Sequence, residues 1–394
     1  MSTAPIELVA SVRAELIAGG ASEDTESLHA AVRRRSAGLG TAATLELLRA
    51  VQAELTGAGP LAGLLADPDV TDVLVNGADE VWVDRGAGLI RLPITFANDD
   101  EVRRLAVRLA AAAGRRLDTG APFVDARLPG GVRLHAVLPP IAVSGACLSL
   151  RVHRQRPLTL DALQAAGGLH PAFAEVLRAL VAARLSFVVT GGAGSGKTTL
   201  LGALLAEADP RERLVTVEDA AELQIDHPHV VRLEARPPNV EGAGEVTVRD
   251  LVRQALRMRP DRLIVGEARG PELLDMLLAA NTGHDGSVTT LHANGVVDVP
   301  ARMEALAMLA GVERQAAHSL LASALSVAVH LQRAGDGQRR VTEIAVLVRD
   351  PAAGLVAAEP ALLWSGELQV EPGARRLRQL LESRGVAAPM VLCE

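Results

Sequence analysis

Leu185-Ser186-Phe187-Val188-Val189-Thr190, then Gly191-Gly192-Ala193-Gly194-Ser195-Gly196-Lys197-Thr198, then Thr199-Leu200-Leu201-Gly202-Ala203-Leu204-Leu205-Ala206 is the stretch that decides the fold. The apolar run predicts a buried strand over 185–190, and the run after the glycines predicts a helix over 198–206. Between them stands the phosphate-loop pattern G-x-x-x-x-G-K-[ST]. Glycines there let successive N–H groups turn inward on phosphates, the helix N-terminus adds its positive end, and the Thr198 hydroxyl can ligate magnesium. Lys197 is the only lysine among 394 residues. A chain that otherwise uses arginine needs here a compact ammonium on a flexible stem, where a planar fork would not fit. The expected ligand is a nucleoside triphosphate held by residues 191–199.

Composition bounds the rest. The length suggests two or three domains, and 49% hydrophobic residues suffice for sizeable cores. A net charge of -7 gives no whole-chain attraction for polyanions, and 2% aromatics with no tyrosine offers few stacking platforms for single-stranded nucleic acid. Cys147 and Cys393 are too few for a disulfide framework or a four-cysteine zinc site, which fits a reducing cytoplasm. No uncharged run of 18 or more apolar residues occurs, so membrane association is expected to be peripheral.

The chain reads as an α/β protein in five parts. Residues 1–58 carry apolar positions at helical spacing (Leu47, Leu48, Val51, Leu55) and form a helical N-terminal region. Residues 59–153 mix short strand-like runs (73–75, 81–83, 132–137) with one helical stretch, 100–113, an α+β domain. A linker over 154–171 contains Pro157. From 172 to 350 strands and helices alternate, which predicts a parallel sheet with its chemistry at the carboxyl ends of the strands. Residues 351–394 form a C-terminal tail with an arginine-rich helix over 374–384, read as a capping helix or a docking surface.

Two strands end on acids. Residues 213–217 run into Glu218 and Asp219, with Glu222 following, and Leu263-Ile264-Val265-Gly266 runs into Glu267. A carboxylate there can ligate magnesium through water or orient the attacking water. The stretch from Thr282 to Asn294 holds His284, Thr289, Thr290 and His292. Zinc would want further ligands at short spacing, so a phosphate-sensing role suits it better, with a hydrogen-bonded structural histidine as the alternative.

The loop, Thr216-Val217-Glu218-Asp219, Arg259-Pro260-Asp261 followed by Val265-Gly266-Glu267, and the stretch from Gly283 to Asn294 occur in this order. With these motifs, over about residues 59–348, the chain resembles the secretion ATPases of type II and type IV systems. Val230 to Asn239 is particularly similar to the tight-adherence (Flp/Tad) pilus assembly branch, also described as conjugal-transfer-type. The resemblance implies a RecA-like ATPase domain behind a smaller N-terminal domain. It assigns Glu218, Asp219 and Glu222 to an aspartate box, Glu267 to an atypical Walker B, and His284 and His292 to a histidine box. It further implies a cytoplasmic homo-hexamer at the inner face of the membrane, hydrolysing ATP with Mg2+ and working with an inner-membrane platform protein. Gly266 stands where an ordinary Walker B has aspartate, so magnesium would rely on Thr198 and water-mediated acids, and Glu267 is the expected catalytic base.

Arg127, Arg133 and Arg151 match N-terminal-domain positions that face the nucleotide across a subunit interface in the family. Arg249, Arg253 and Arg257 share one helical face and serve either as a second such set or as a solvated charged stripe. Two other functions remain open: a conjugation-type nucleic-acid translocase, and an adaptor that binds ATP and assembles without turnover.

Overall fold

The computed structural model describes Thr44 and residues 57–393 apart from 68, 87, 129–130, 153–156, 239–241, 282 and 335–336. The helices expected over 1–58, and the start of the linker, lie outside the described residues. Two compact units divide between 155 and 156. Among the described residues no helix is long and apolar enough to cross a membrane.

The first unit runs through α1 (Ala62–Ala66), β1 (Asp72–Asn76), β2 (Val81–Asp84), β3 (Leu89–Leu92), α2 (Asp99–Ala112), β4 (Phe123–Arg127), β5 (Arg133–Val137) and β6 (Cys147–Arg151). Its strands form one antiparallel sheet in the order β3-β2-β1-β6-β5-β4. Alternation along the strands turns Val73, Val75, Val81, Val83, Leu134, Ala136, Leu148 and Leu150 to one face. Helix α2 covers that core with Val102, Leu105, Ala106 and Leu109. Its start is fixed by Asn98, whose side chain accepts from the Glu101 N–H, while three acids occupy the first turn and complement the helix dipole.

The second unit runs through α3 (Leu160–Ala165), α4 (Pro171–Ala182), β7 (Phe187–Gly191), α5 (Lys197–Leu205), β8 (Leu214–Glu218), β9 (Val230–Glu234), α6 (Val248–Ala255), β10 (Arg262–Val265), α7 (Glu272–Ala280) and β11 (Val288–Leu291). It continues with α8 (Val299–Leu309), α9 (Arg314–Ala324), β12 (Val327–Arg333), β13 (Arg339–Arg349), β14 (Val356–Trp364), β15 (Leu368–Val370) and α10 (Gly373–Ser383). The sheet order is β15-β14-β13-β12-β7-β11-β10-β8-β9. From β12 to β9 all neighbours are parallel, as the sequence predicts. Strands β7, β8, β10 and β11 are buried at every residue, because helices cover both faces and the strands read as continuous apolar runs.

The edge beyond β12 is antiparallel instead. The links from β12 to β15 are too short for a crossover helix, so each strand must turn straight back. Residues 351–394, set apart in the sequence as a tail, supply β14, β15 and α10 to this unit. Ala374, Leu377 and Leu381 of α10 pack into the core shared with α4 and α5.

Candidate active site

Parallel strands in register bring their carboxyl ends to one edge. Leu291 pairs with Thr190, and Val265 pairs with both Val217 and Thr289. Gly191, Glu218, Glu267 and His292 therefore follow or end four neighbouring strands at that edge.

The phosphate loop needs its glycines. Gly194 and Gly196 have φ of 68° and 98°, and Gly196 caps α5 from the left-handed region. A Cβ on Gly191 would lie 2.5 Å from both Leu331 O and Ser195 Oγ, whereas Gly192 and Gly194 face open space. Gly192, Ala193 and Gly194 are exposed, Thr198 is half-buried and Thr199 exposed. Lys197 is 8% exposed and donates to Gly191 O at 3.0 Å and Gly192 O at 2.9 Å. Burial lowers its pKa, the Glu267 charge opposes that, and Arg269 adds to it.

Lys197 Nζ also lies 3.4 Å from His292 Nδ1, and His292 Nε2 lies 2.8 Å from Glu267 Oε1. The second contact is at ion-pair distance, and no other side chain donates to the buried Oε1. The other Glu267 oxygen accepts from Arg269, which reaches Asp219 at 3.8 Å as well. Strand neighbours fix the backbone of this turn: Gly266 N donates to Val217 O, Ala268 N to Thr290 O, and Thr290 Oγ1 to Gly266 O at 2.6 Å. An ammonium, an imidazole, a carboxylate and a guanidinium thus stand in contact sequence above the loop.

Glu218 and Asp219, adjacent in sequence, have opposite environments. Asp219 is exposed, while Glu218 is 5% exposed and accepts the N–H groups of Glu222 and Leu223 at 3.1 and 2.9 Å through Oε1. Its Oε2 has no partner. Burial pushes its pKa up to about 7, against the pull of those two N–H groups and Arg232. Glu222 is half-buried in the turn that Glu218 organises.

Other expected residues are placed elsewhere. His284 precedes β11 and so sits toward the opposite edge from His292, with its Nδ1 donating to Ala279 O at the end of α7. Thr289 and Thr290 are buried and spend their hydroxyls on backbone carbonyls. Arg249 and Arg253 both bind Asp275 on α7, at 2.7 and 3.1 Å, while Arg257 reaches Gln254. In the first unit Arg127, Arg133 and Arg151 are direct cross-strand neighbours on β4, β5 and β6. Arg133 pairs with Asp125 at 2.7 Å and Arg151 with Asp72 at 3.0 Å. Sequence reasoning missed Arg269, whose signal is a cation two residues beyond a strand-end acid, and the buried carboxyl environment of Glu218.

Known proteins share the sequence and the fold of this chain. A protein of Mycobacterium tuberculosis strain H37Rv, provisionally named a conjugal transfer protein, is 55% identical over 355 residues, covering 89% of this chain and all of its own. The conjugal transfer protein TrbB of Rhizobium radiobacter is 34% identical over 71% of this chain and 84% of its own. At the level of fold, the Yersinia pseudotuberculosis ATPase DotB superposes with a TM-score of 0.54 at 18% identity, over 83% of this chain and 89% of its own. The α/β unit with its phosphate loop is accordingly RecA-like. Residues 54–358 match the type II/IV secretion system protein family, and the chain belongs to that family.

Proposed function

We propose that the protein hydrolyses ATP with Glu267 as the base that takes the proton of the attacking water. The observation that carries this is the place of Glu267 at the carboxyl end of β10, its buried Oε1 2.8 Å from His292 Nε2, with the other ring nitrogen 3.4 Å from Lys197. Lys197 would exchange the carbonyls of Gly191 and Gly192 for phosphate oxygens, and the amides of 191–196 would cradle the phosphates. Arg269 orients Glu267 by holding its other oxygen, and His292 stands where charge shifts between base and phosphate. Among the described residues no three His, Cys, Asp or Glu side chains gather as a metal-binding set. The half-buried Thr198 at the start of α5 fits magnesium directly and Glu267 through water, with nucleotide oxygens supplying the rest; when bound, the ion would neutralise developing phosphate charge.

The working form in this reading is a cytoplasmic homo-hexamer at the inner face of the membrane, coupled to a platform protein and driving secretion or tight-adherence pilus assembly. Arg127, Arg133 and Arg151 support it as three cross-strand neighbours that would present their guanidinium groups together to an anion brought by a neighbouring copy, with Asp125 and Asp72 orienting Arg133 and Arg151. The names of the M. tuberculosis and R. radiobacter relatives favour a second reading, a conjugation-type nucleic-acid translocase. Stimulation of turnover by single-stranded DNA separates the two.

The decisive experiment is steady-state phosphate release from the purified oligomer with Mg-ATP, wild type against Glu267→Gln. Turnover lost with nucleotide binding retained supports the assignment. Equal rates remove Glu267 from catalysis, and an intact wild-type ring that binds ATP without turnover is an adaptor.

A further inference from the structure

Behind the phosphate loop, on the face of the sheet away from α5, lies a polar row, buried at Thr190 and His330 and half-buried at Glu343, that the hydrolytic reading does not use. Alternation along β7 and β12 sends Val189 and Val329 toward the core shared with α5, and Thr190 and His330 to the other face, beside Val188 and Ala328. Thr190 and His330 are directly paired residues, 0% and 4% exposed, with Thr190 Oγ1 2.9 Å from His330 Nδ1. His330 is paired in turn with Glu343 on β13. Glu343 Oε2 accepts the N–H of Val296 at 3.0 Å, four residues beyond His292. The row thus starts one residue before the phosphate loop and ends in the segment that carries His292.

Three details mark the row as more than filler. The β12–β13 register shifts between His330 and Leu331, and bulges next to functional sites re-aim side chains. The shift lies under the loop itself, since Leu331 pairs with Gly191 and its carbonyl is what bars a side chain there. The hydrogen bonding also links the two strands through side chains, since Thr190 Oγ1 lies 2.9 Å from His330 Nδ1 and 3.3 Å from Val329 O. Burial holds His330 below the ordinary histidine range, Glu343 and Asp298 pull it up and Lys197 pulls it down, which agrees with a neutral ring.

We infer that Thr190, His330 and Glu343 form a polar tie that keeps the 292–296 segment in register with the phosphate loop, making His330 and Glu343 positioning residues for the reaction at Glu267. The catalytic part rests on the hydrolytic reading above. Small misplacements of reacting groups cost as much as about 100-fold in rate, so a loosened tie should lower kcat by about 10-fold while leaving nucleotide affinity nearly unchanged.

The test uses the full chain and two readouts. Backbone hydrogen exchange is compared for wild type, Thr190→Val, His330→Leu and Glu343→Ala. The inference expects faster exchange over 292–298 in all three, including Thr190→Val at the far end of the row, with β8 and β10 unchanged. Wild-type exchange over 292–298 in Thr190→Val and His330→Leu overturns the tie whether or not ATP is hydrolysed. Kinetically, His330→Asn, which keeps an amide able to bond Thr190 near the Nδ1 position, should restore most of the kcat lost in His330→Leu. Combining His330→Leu with His292→Ala should cost no more than His292→Ala alone, whereas additive losses would make the row merely structural. A wild type that shows no turnover, with the exchange shifts present, refutes the hydrolytic reading and leaves the tie standing.

Discussion

A Cβ on Gly266 would lie 2.6 Å from Cγ of Glu218. The missing side chain at the end of β10 is thus the space into which the carboxyl at the end of β8 folds, from where it organises the Glu222 and Leu223 amides. An acid at 266 and the buried Glu218 exclude each other. Gly266→Ala should lower stability by about 1–3 kcal/mol, the usual cost of overpacking a filled site, and should displace Glu218 from those amides. Placing Glu218→Ala in the same chain should recover part of the loss, read by urea denaturation. Independent, additive effects would mean that the two residues do not share this space.

Glu218 should make stability pH-dependent. Its folded pKa of about 7 stands in place of the ordinary 4.5, so between those values the folded chain binds more protons than the unfolded one. Stability is then complete below about pH 4.5 and is lost as the pH rises through about 7. The raised value corresponds to roughly 3 kcal/mol at one unit per 1.36 kcal/mol. Glu218→Gln, which cannot ionise, should gain stability on wild type between pH 5 and pH 8, measured by denaturant midpoints at each pH. A constant difference between the two proteins across that range would refute the buried-charge account.

The strand, glycine loop and helix around Lys197 were legible because they combine two strong local signals, a doubly buried apolar strand and glycines before a lysine. Strand-end acids were legible for the same reason, since Glu218 and Glu267 close apolar runs. Which acid is buried was not, because it depends on Gly266 across a strand boundary. The two histidines of the 282–294 stretch look equivalent in sequence, yet β11 lies between them and carries His292 to the loop while His284 stays at the end of α7. Of the three arginines read onto one helical face, Arg249 and Arg253 share Asp275 on another helix, but Arg257 leaves that face because the α-helix ends at Ala255 and a 3-10 turn over 256–258 turns it to Gln254. The alignment of Arg127, Arg133 and Arg151 depends on strand register, which their spacing does not state.

At the opposite edge of the sheet, Arg262 opens β10 at 1% exposure and binds Glu212, itself 5% exposed. Arg262 also donates to Val181 O at 2.8 Å, and Arg184, at a left-handed φ of 51°, donates to the same carboxylate at 2.7 Å. Burial would raise the Glu212 pKa, but the two guanidinium groups outweigh it and hold the carboxyl below its ordinary value. Its contribution to stability is therefore present above the ordinary carboxylate range and lost as the pH falls below it. Glu212→Ala leaves a buried guanidinium without its counter-charge and should cost about 3–5 kcal/mol. Replacing Glu212 and Arg262 together by leucine and methionine should cost far less, because no charge is then stranded. Nucleotide affinity should stay within about twofold in all of these variants, since the triad lies at the amino ends of β8 and β10, away from the phosphate loop. Urea denaturation alongside nucleotide titration reads both quantities, and a Glu212→Ala loss below about 1 kcal/mol would show that the pair does not anchor this edge.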